Sequence, residues 1–357
     1  VYIPGPLPRF FSKNSKVQNS NPQPTLEIIY RDHNGLESYL NYKTQSMTNG
    51  ATYVNTFNGN LTGIWNIGST VGGRFPANVN LVYNSNDVIL NNNTIYGKGY
   101  KLSYDQTLEE KEVYERDCIE YIDEDGTIHY FYKDSTSNPV FYYDEDGLNL
   151  KIERQENSYI MTDKSNNEML FVKNGLLAYL SEIRDVNNNK VIIGRNSNNV
   201  ITTITDAEGA KIELSYELNK IKVVSPDCIT EIGYTNKITN INSYLGTVSI
   251  SYNENDMIDT ITDVNGLKFK YTYYSQKPYR IQKVTQYGLN NTIGEYFSLE
   301  YETSSTRITD NLGRVEALIF NSYGNLVTRN SLSSGEDIGN AYSISGEYGD
   351  EYQYKNR

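Results

Sequence analysis

A unit of about 20 residues recurs through the second half of the chain and constrains the fold more than any other feature. Each copy has an apolar-Thr-Asp run, two or three turn residues and an alternating strand rich in Tyr. The clear copies contain the runs 204–209, 261–266 and 308–313, looser copies start at Asp123, Asp144, Asp163 and Asp185, and degenerate copies surround Ser225 and Ser243. This regular spacing predicts a repeat array.

The length of the unit fits one β-hairpin, because two strands of about 5–6 residues and two turns fill it. A single hairpin is marginally stable in water, so the copies must stack edge to edge and bury one face together. We therefore predict an all-β fold of antiparallel β-hairpin repeats stacked into a long curved sheet. The first strand of each unit reads apolar-x-x-apolar, as in Ile201 and Ile204 or Ile258 and Ile261, and this predicts a β-bulge that bends the sheet.

Composition supports the same class, with 33 Tyr and 26 Gly in 357 residues. Tyr suits a half-buried pleated surface, and Gly suits tight turns. Four tyrosines close strands with the period of a buried row, so most of them are expected in the core. These are Tyr143, Tyr216, Tyr252 and Tyr273.

Upstream of the repeats the pattern is less regular. Strands are predicted at 26–30, 51–57, 60–67, 79–83 and 100–104, and a short helix at 108–114. Asn-Gly pairs at 34–35, 49–50 and 58–59 each predict a hairpin turn. The organisation predicted from these patterns is an extended Pro/Asn-rich segment at 1–29, a β prelude at 30–115, hairpin repeats at 116–330 and a polar Gly-rich tail at 331–357.

The Asp-x-x-Gly turns, Tyr-terminated strands and near-20 spacing resemble the YD or Rhs repeats of bacterial polymorphic toxins and wall-associated proteins. The resemblance covers about residues 30–330 and includes upstream segments at 35–39, 53–61 and 73–76 that are similar to the region preceding such repeats. Only Gly313 is followed by the Arg that family members often carry, and Asp163 and Asp185 lack the turn glycine. These departures are typical of the leading portion of a longer array.

The resemblance implies a structural, non-catalytic section of a secreted or surface-attached protein whose β-sheet shell encloses and delivers a C-terminal toxin or effector. The implied partners are the remaining repeats and that effector domain, and the implied location is extracellular or associated with the bacterial cell wall. Two other functions stay open: a module that binds carbohydrate or cell wall through exposed Tyr, and a structural surface fibre.

Several functions are disfavoured by the residues. The net charge of -12, without a basic cluster, opposes nucleic-acid binding. No apolar run approaches the roughly 20 residues of a membrane span, and the start at Val1 without a leader suggests a processed or excised form. No nucleotide-binding or hydrolase motif accompanies the two histidines, His33 and His129, so no enzyme activity, catalytic residue or cofactor is predicted.

Metal binding is weighed at three acidic turns, at 123–126, 144–147 and 185–189. None fits the ligand spacing of an EF-hand loop, and Asp and Asn commonly cap their own turns, so no metal site is predicted. His129 is expected to pack across strands. Cys118 and Cys228 are expected to be two small buried apolar side chains or one incidental disulfide.

Overall fold

A computed structural model of the chain describes residues 34–71, 73–90, 93–113, 115–144, 147–333, 336–337 and 342–343. The predicted extended segment at 1–29 and strand at 26–30 lie outside these residues, as does most of the predicted tail. The described part is almost entirely antiparallel β-structure, which confirms the predicted fold class. It consists of a smaller inner sheet and a long outer sheet, here called the wall.

The inner sheet has the strand order β1-β2-β3-β4-β7, with a small β5-β6 hairpin beside it. Its elements are β1 Tyr42–Met47, β2 Gly50–Asn55, β3 Leu61–Ser69, β4 Asn78–Asn84, α1 Ser85–Ile89, β5 Asn93–Thr94, β6 Gly97–Lys98 and β7 Tyr100–Leu102. Two of the three predicted Asn-Gly turns join its strands, at 49–50 and between β2 and β3.

The wall begins with β8 Thr107–Val113, β9 Arg116–Ile122, β10 Ile128–Lys133, β11 Phe141–Asp144, β12 Lys151–Arg154, β13 Ser158–Thr162, β14 Glu168–Asn174 and β15 Leu177–Arg184. It continues as β16 Lys190–Arg195, β17 Ile201–Thr205, β18 Lys211–Glu217, β19 Lys220–Val224, β20 Ile229–Tyr234, β21 Ile238–Ser243, β22 Gly246–Tyr252 and β23 Ile258–Thr262. It ends with β24 Lys268–Tyr273, β25 Ile281–Tyr287, the 3₁₀ turn Leu289–Asn291, β26 Ile293–Tyr301, β27 Ser305–Asp310, β28 Val315–Phe320, β29 Leu326–Ser333, β30 Glu336–Asp337 and β31 Tyr342–Ser343.

Successive wall strands pair with one another, and strand β15 also closes a ring. Its first residues, Leu177 to Tyr179, pair with β8, whereas Glu182 to Arg184 pair with β16. Ser181 lies between them at a register shift opposite Leu170 and Phe171. The strands β8 to β15 therefore form a closed circuit, and the sheet leaves this circuit at the Ser181 bulge and continues to β29.

The predicted bulges are present in the wall and recur. In β17 the pairs Arg195–Ile201 and Gly194–Thr203 leave Thr202 unpaired, and in β23 the extra residue is Asp259. The same irregularity recurs in β21, β25 and β29. One extra residue lets Ile201 and Ile204 lie on the same buried face, which strict alternation would forbid.

The Asp turns between wall strands use their own side chains as caps. At Asp206 one carboxylate oxygen, Oδ1, accepts the amides of Glu208 and Ala210, each at 2.9 Å, and the fourth residue of the turn, Gly209, has a φ of +87°. The turns that lack glycine place Asn166 and Asn188 at this fourth position, with φ values of +61° and +64°. Asn is the residue that most readily replaces glycine in the left-handed region, so these turns keep the geometry of the repeat.

Asn188 provides a test of this explanation. Asn188→Gly should leave the stability unchanged or slightly raised, whereas Asn188→Val should lower the free energy of unfolding by about 1–2 kcal/mol, because a β-branched residue is strained at positive φ. Thermal unfolding of both variants would measure the difference. Equal midpoints for the two variants would contradict a left-handed requirement at this position.

Two predictions about individual wall strands were wrong. Residues 107–113 form strand β8 instead of a helix, because β8 pairs with β9 along its length and with β15 on its other edge. Tyr143 is 44% exposed, whereas its neighbour Tyr142 is buried, so the register of β11 is displaced by one residue from the predicted one. Tyr216, Tyr252 and Tyr273 are half-buried and pack against the core, as predicted.

Candidate functional site

The inner sheet covers the inner face of the wall. This contact between the two sheets is the principal candidate for a functional feature of the described chain. One face of the inner sheet carries the fully buried side chains of Val54, Leu61, Trp65, Leu81 and Tyr83. Across the wall, a continuous row of cross-strand pairs such as Ile204–Ile212 and Ile250–Ile261 is also buried. The two sheets form a single hydrophobic core, so the concave side of the wall is filled along the inner sheet.

Tyrosines at the ends of wall strands hydrogen-bond to the bulge of the preceding strand. The hydroxyl of Tyr216 donates to the carbonyl of Ile201, and that of Tyr273 donates to the carbonyl of Ile258, each at 2.8 Å. Both acceptors directly precede the extra residue of a bulge. Burial raises the pKa of Tyr216 to about 12, so the hydroxyl remains a donor at physiological pH. Tyr252 and Tyr301 repeat the arrangement with Ile238 and Ile281.

The same tyrosine row reaches the inner sheet. Tyr100 and Tyr252 lie with their hydroxyls 2.8 Å apart, and the hydroxyl of Tyr271 lies 2.7 Å from that of Thr52. The backbone amide of Ile258 donates to the Tyr83 hydroxyl at 3.2 Å. These contacts fix the inner sheet at one position along the wall.

Removing one tyrosine hydroxyl tests this role. Tyr273→Phe should lower the free energy of unfolding by about 1–2 kcal/mol, because the buried carbonyl of Ile258 loses a hydrogen bond. Tyr244→Phe is the matched control, since that ring is 78% exposed and its change should stay within about 0.5 kcal/mol. Denaturant unfolding measures both, and equal effects would show that the bulge carbonyl does not depend on Tyr273.

A cleft of about 790 Å³ lies between the outer edge of β1 and the inner face of the wall. Its lining mixes apolar and charged side chains, among them Gln45, Phe269, Tyr296 and Arg314. Lys43 and Glu316, which also line it, form an ion pair of 2.6 Å.

A polar cluster joins the inner sheet to the β9–β10 hairpin of the wall, and we call it the junction. It comprises Asn34, Gly35, Leu36, Glu37, Asn84, Lys101, Asp123, Asp125, Thr127 and His129. The amide of Leu36 donates to Asp125 at 2.8 Å, the amide of Gly35 donates to the Asn84 side chain at 2.9 Å, and Asn84 donates to the carbonyl of Asp125 at 2.8 Å. No strand follows Gly35 before β1 begins at Tyr42, so the predicted hairpin at 34–35 is wrong, and Gly35 contacts the Asp125 turn instead.

The junction contains several titratable groups in a small volume. His129 Nε2 lies 3.2 Å from Glu37 Oε1 and 3.3 Å from Asp123 Oδ2. Burial and the charge of Asp123 raise the pKa of Asp125 to about 8. Burial opposes ionisation of Asp123 as well, but the hydrogen bond with His129 and the charges of His129 and Lys101 together lower the pKa of Asp123. Burial lowers the pKa of the Lys101 ammonium, which donates to the carbonyl of Asp123.

The remaining residues singled out from the sequence have simpler environments. His129 pairs across strands with Tyr121, with the ring centroids 5.8 Å apart, as predicted. Cys118 is buried and Cys228 is half-buried, and both are free, so the alternative of a disulfide between them is wrong. His33 lies outside the described residues. The carboxylates of Asp163 and Asp185 cap their own turns, as expected of Asx turns.

Sequence reasoning did not find the approach of Glu37 to Asp123 and His129. Glu37 is far in sequence from Asp123 and His129, which lie in one hairpin, and it meets them because residues 34–37 fold against the hairpin of β9 and β10. The sole local signal was the Asn-Gly pair at 34–35. This pair indicates a left-handed turn but does not indicate which segment the turn packs against.

Comparison with known proteins gives a short family match and distant structural similarity. Residues 52–131, from β2 into β10, match a family described as a domain of unknown function, DUF6531. No curated protein matches the chain. Among the described residues, no helix is long and apolar enough to cross a membrane.

Solved structures of toxin complexes are similar to most of the chain at low identity. The crystal structure of TcdB2-TccC3-TEV matches 80% of this chain with 10% identity and a TM-score of 0.28. TcdB2-TccC3 without its hypervariable C-terminal region matches 79% with 8% identity and a TM-score of 0.26, and the pore structure of the Photorhabdus luminescens Tc holotoxin matches 79% with 9% identity and a TM-score of 0.24. The chain spans only 15% to 18% of the length of these structures.

Proposed function

We propose that this chain is a non-catalytic wall section of a larger YD- or Rhs-type repeat protein whose shell encloses and delivers a C-terminal effector. The observation that carries the proposal is the continuity of the wall, which is hydrogen-bonded strand to strand from Thr107 to Ser333 and curves around an inner sheet. A sheet that closes a ring and then continues can extend by further hairpins of the same kind.

The geometry favours a structural role over catalysis. The polar side chains of the described turns are used to cap those turns, and the tyrosines hold bulges and join the two sheets. The proposed partners are the following repeats and the effector domain of the parent chain, and the proposed location is outside the bacterial cell or on its wall.

A carbohydrate-binding module is the second candidate, and one observation favours it. Tyr143, Tyr244 and Tyr323 are exposed, and their rings could stack on sugars. Most strand-end tyrosines instead face the core, so we place this function below the wall section. Glycan binding by the isolated chain that is lost in Tyr143→Ala and Tyr244→Ala would reverse this order.

Purification from the native source tests the proposed shell. Intact mass and sequencing of both ends should show a parent that continues past Arg357 into further repeats and a distinct terminal domain. Limited proteolysis of that parent should leave the terminal domain intact until denaturant opens the wall. A mature chain that ends at Arg357, or a terminal domain digested at the rate of its isolated form, would contradict encapsulation.

A further inference from the structure

The junction contains three side chains whose donor atoms are arranged as metal ligands. Glu37, Asp123 and His129 each offer one ligand atom, and these atoms lie within 4.8 Å of one another. They come from three different segments, the loop before β1, the turn after β9 and strand β10. The side chains of His129 and Glu37 are only 3% and 9% exposed. A buried imidazole with two carboxylates is a different arrangement from an acidic surface patch, because nitrogen and oxygen donors converge on one point.

The separations agree with the edges of a metal coordination sphere. With metal-ligand bonds of about 2.0–2.2 Å, neighbouring ligands of a tetrahedral Zn²⁺ ion lie about 3.3–3.6 Å apart. The observed N···O separations of 3.2 and 3.3 Å are close to the lower end of this range. The ligand oxygens of Glu37 and Asp123 lie within 4.8 Å of each other, and ligation would hold them about 3.3–3.6 Å apart.

One ligand is already oriented by hydrogen bonds to its other oxygen. Oδ1 of Asp123 accepts the amides of Asp125 and Thr127 at 3.0 and 2.8 Å, which leaves Oδ2 directed towards His129. In the equivalent turn at Asp185, Oδ2 instead accepts the side-chain amide of Asn189 at 2.7 Å. In the Asp123 turn, which meets the inner sheet, Oδ2 therefore faces a histidine, whereas in the Asp185 turn it caps the turn itself.

The charge of the junction also favours a cation. The carboxylates of Glu37 and Asp123 both lie against the His129 imidazole, and the Lys101 ammonium donates to the carbonyl of Asp123. A divalent ion bound by a neutral imidazole would offset the charges of these two carboxylates in a volume where solvent screening is weak.

We propose that Glu37, Asp123 and His129 bind one divalent transition-metal ion of the Zn²⁺ type, with water completing the coordination, and that the ion fastens the inner sheet to the β9–β10 hairpin of the wall. Imidazole is a ligand that suits Zn²⁺ and its neighbours, whereas Ca²⁺ takes six to eight oxygen ligands and Mg²⁺ is bound mainly through oxygen and water. The role is structural, and it goes beyond the proposed shell function without depending on it.

The test uses the full chain, without a polyhistidine tag and stripped of metal by a chelator. Calorimetric titration with Zn²⁺ should show one ion per chain, and Zn²⁺ should raise the unfolding midpoint, whereas equal concentrations of Ca²⁺ or Mg²⁺ should not compete. His129→Gln and Glu37→Gln should each weaken binding at least about tenfold. Asp185→Asn, in a turn without a histidine, is the matched control and should bind as the unsubstituted chain does.

X-ray absorption of the Zn²⁺-loaded unsubstituted chain decides the ligand set even where a variant fails to fold. One imidazole with oxygen ligands and no sulfur is the expected first shell. A sulfur ligand would assign the ion to a cysteine and overturn the proposal. Absence of stoichiometric binding, or binding unchanged in both folded variants, would also overturn it.

Discussion

Trp65→Ala is expected to lower the free energy of unfolding by about 3–5 kcal/mol. Trp65 is the single tryptophan, it is fully buried, and it lies in β3, the inner-sheet strand that packs against β19 and β20 of the wall. Gly63 makes room for the indole, since a Cβ there would be 2.4 Å from the ring. Within the described residues the indole N–H has no hydrogen-bond partner, so the loss would measure packing without a lost hydrogen bond.

Denaturant unfolding followed by far-ultraviolet circular dichroism would measure this loss. Leu218→Ala is the control, because Leu218 is 90% exposed in a hairpin turn and should change stability by no more than about 0.5 kcal/mol. A Trp65→Ala loss no larger than that of the control would mean that the inner sheet contributes nothing to the stability of the wall.

Gly35→Ala should have a comparably large effect, a loss of at least about 3 kcal/mol. The added Cβ would lie 1.8 Å from Asp125 Oδ1 and 2.3 Å from Thr127 Oγ1, so both of these side chains would have to move. That movement would remove the hydrogen bond from the Leu36 amide to Asp125. Strain adds to the cost, because Gly35 has a φ of +66°.

Gly175→Ala separates the cost of backbone strain at positive φ from the cost of displacing neighbouring side chains. Gly175 has a φ of +71°, close to that of Gly35, but a Cβ there would meet nothing within 4 Å. The control should therefore lose only about 1–2 kcal/mol, the cost of a left-handed alanine. Thermal or denaturant unfolding of both variants gives the comparison. Equal losses would show that the Asp125 turn yields without cost and that the junction is loosely packed.

The wall could be predicted from sequence because each of its features is encoded locally. The Asp206 and Asp263 units show the turn, the alternation and the apolar-x-x-apolar bulge within a few residues, and stacking follows from the exposed edges that every hairpin leaves. Even the missing glycines at 166 and 188 are replaced by Asn, a residue that the same backbone conformation accepts.

The errors fall where distant segments decide the outcome. Residues 108–111, Leu-Glu-Glu-Lys, have good helix propensity, yet they form a strand because β9 and β15 supply hydrogen-bonding partners on both edges. Lys111 there pairs with Glu120 of the next strand at 2.6 Å. The helix α1 has only five residues, which is too short to show a helical period.

The junction escaped prediction for the same reason. Glu37 shares no sequence pattern with Asp123 or His129, and only the packing of 34–37 on the β9–β10 hairpin brings the three together. His129 was correctly predicted to pack across strands with Tyr121, but that prediction carried no information about its carboxylate neighbours.

One edge of strand β15 pairs with β8 along its first residues and with β16 along its last residues. This arrangement affects how large such a wall can become. A ring that closes completely has a fixed circumference and no free strand edge. A sheet that leaves the ring at Ser181 keeps a free edge with which further strands can pair. Insertion or deletion of whole hairpins would then change the height of the wall and the space it can surround while leaving its cross-section unchanged. Under the proposed shell function, the size of the enclosed effector would depend on the number of repeats and would not require a new fold.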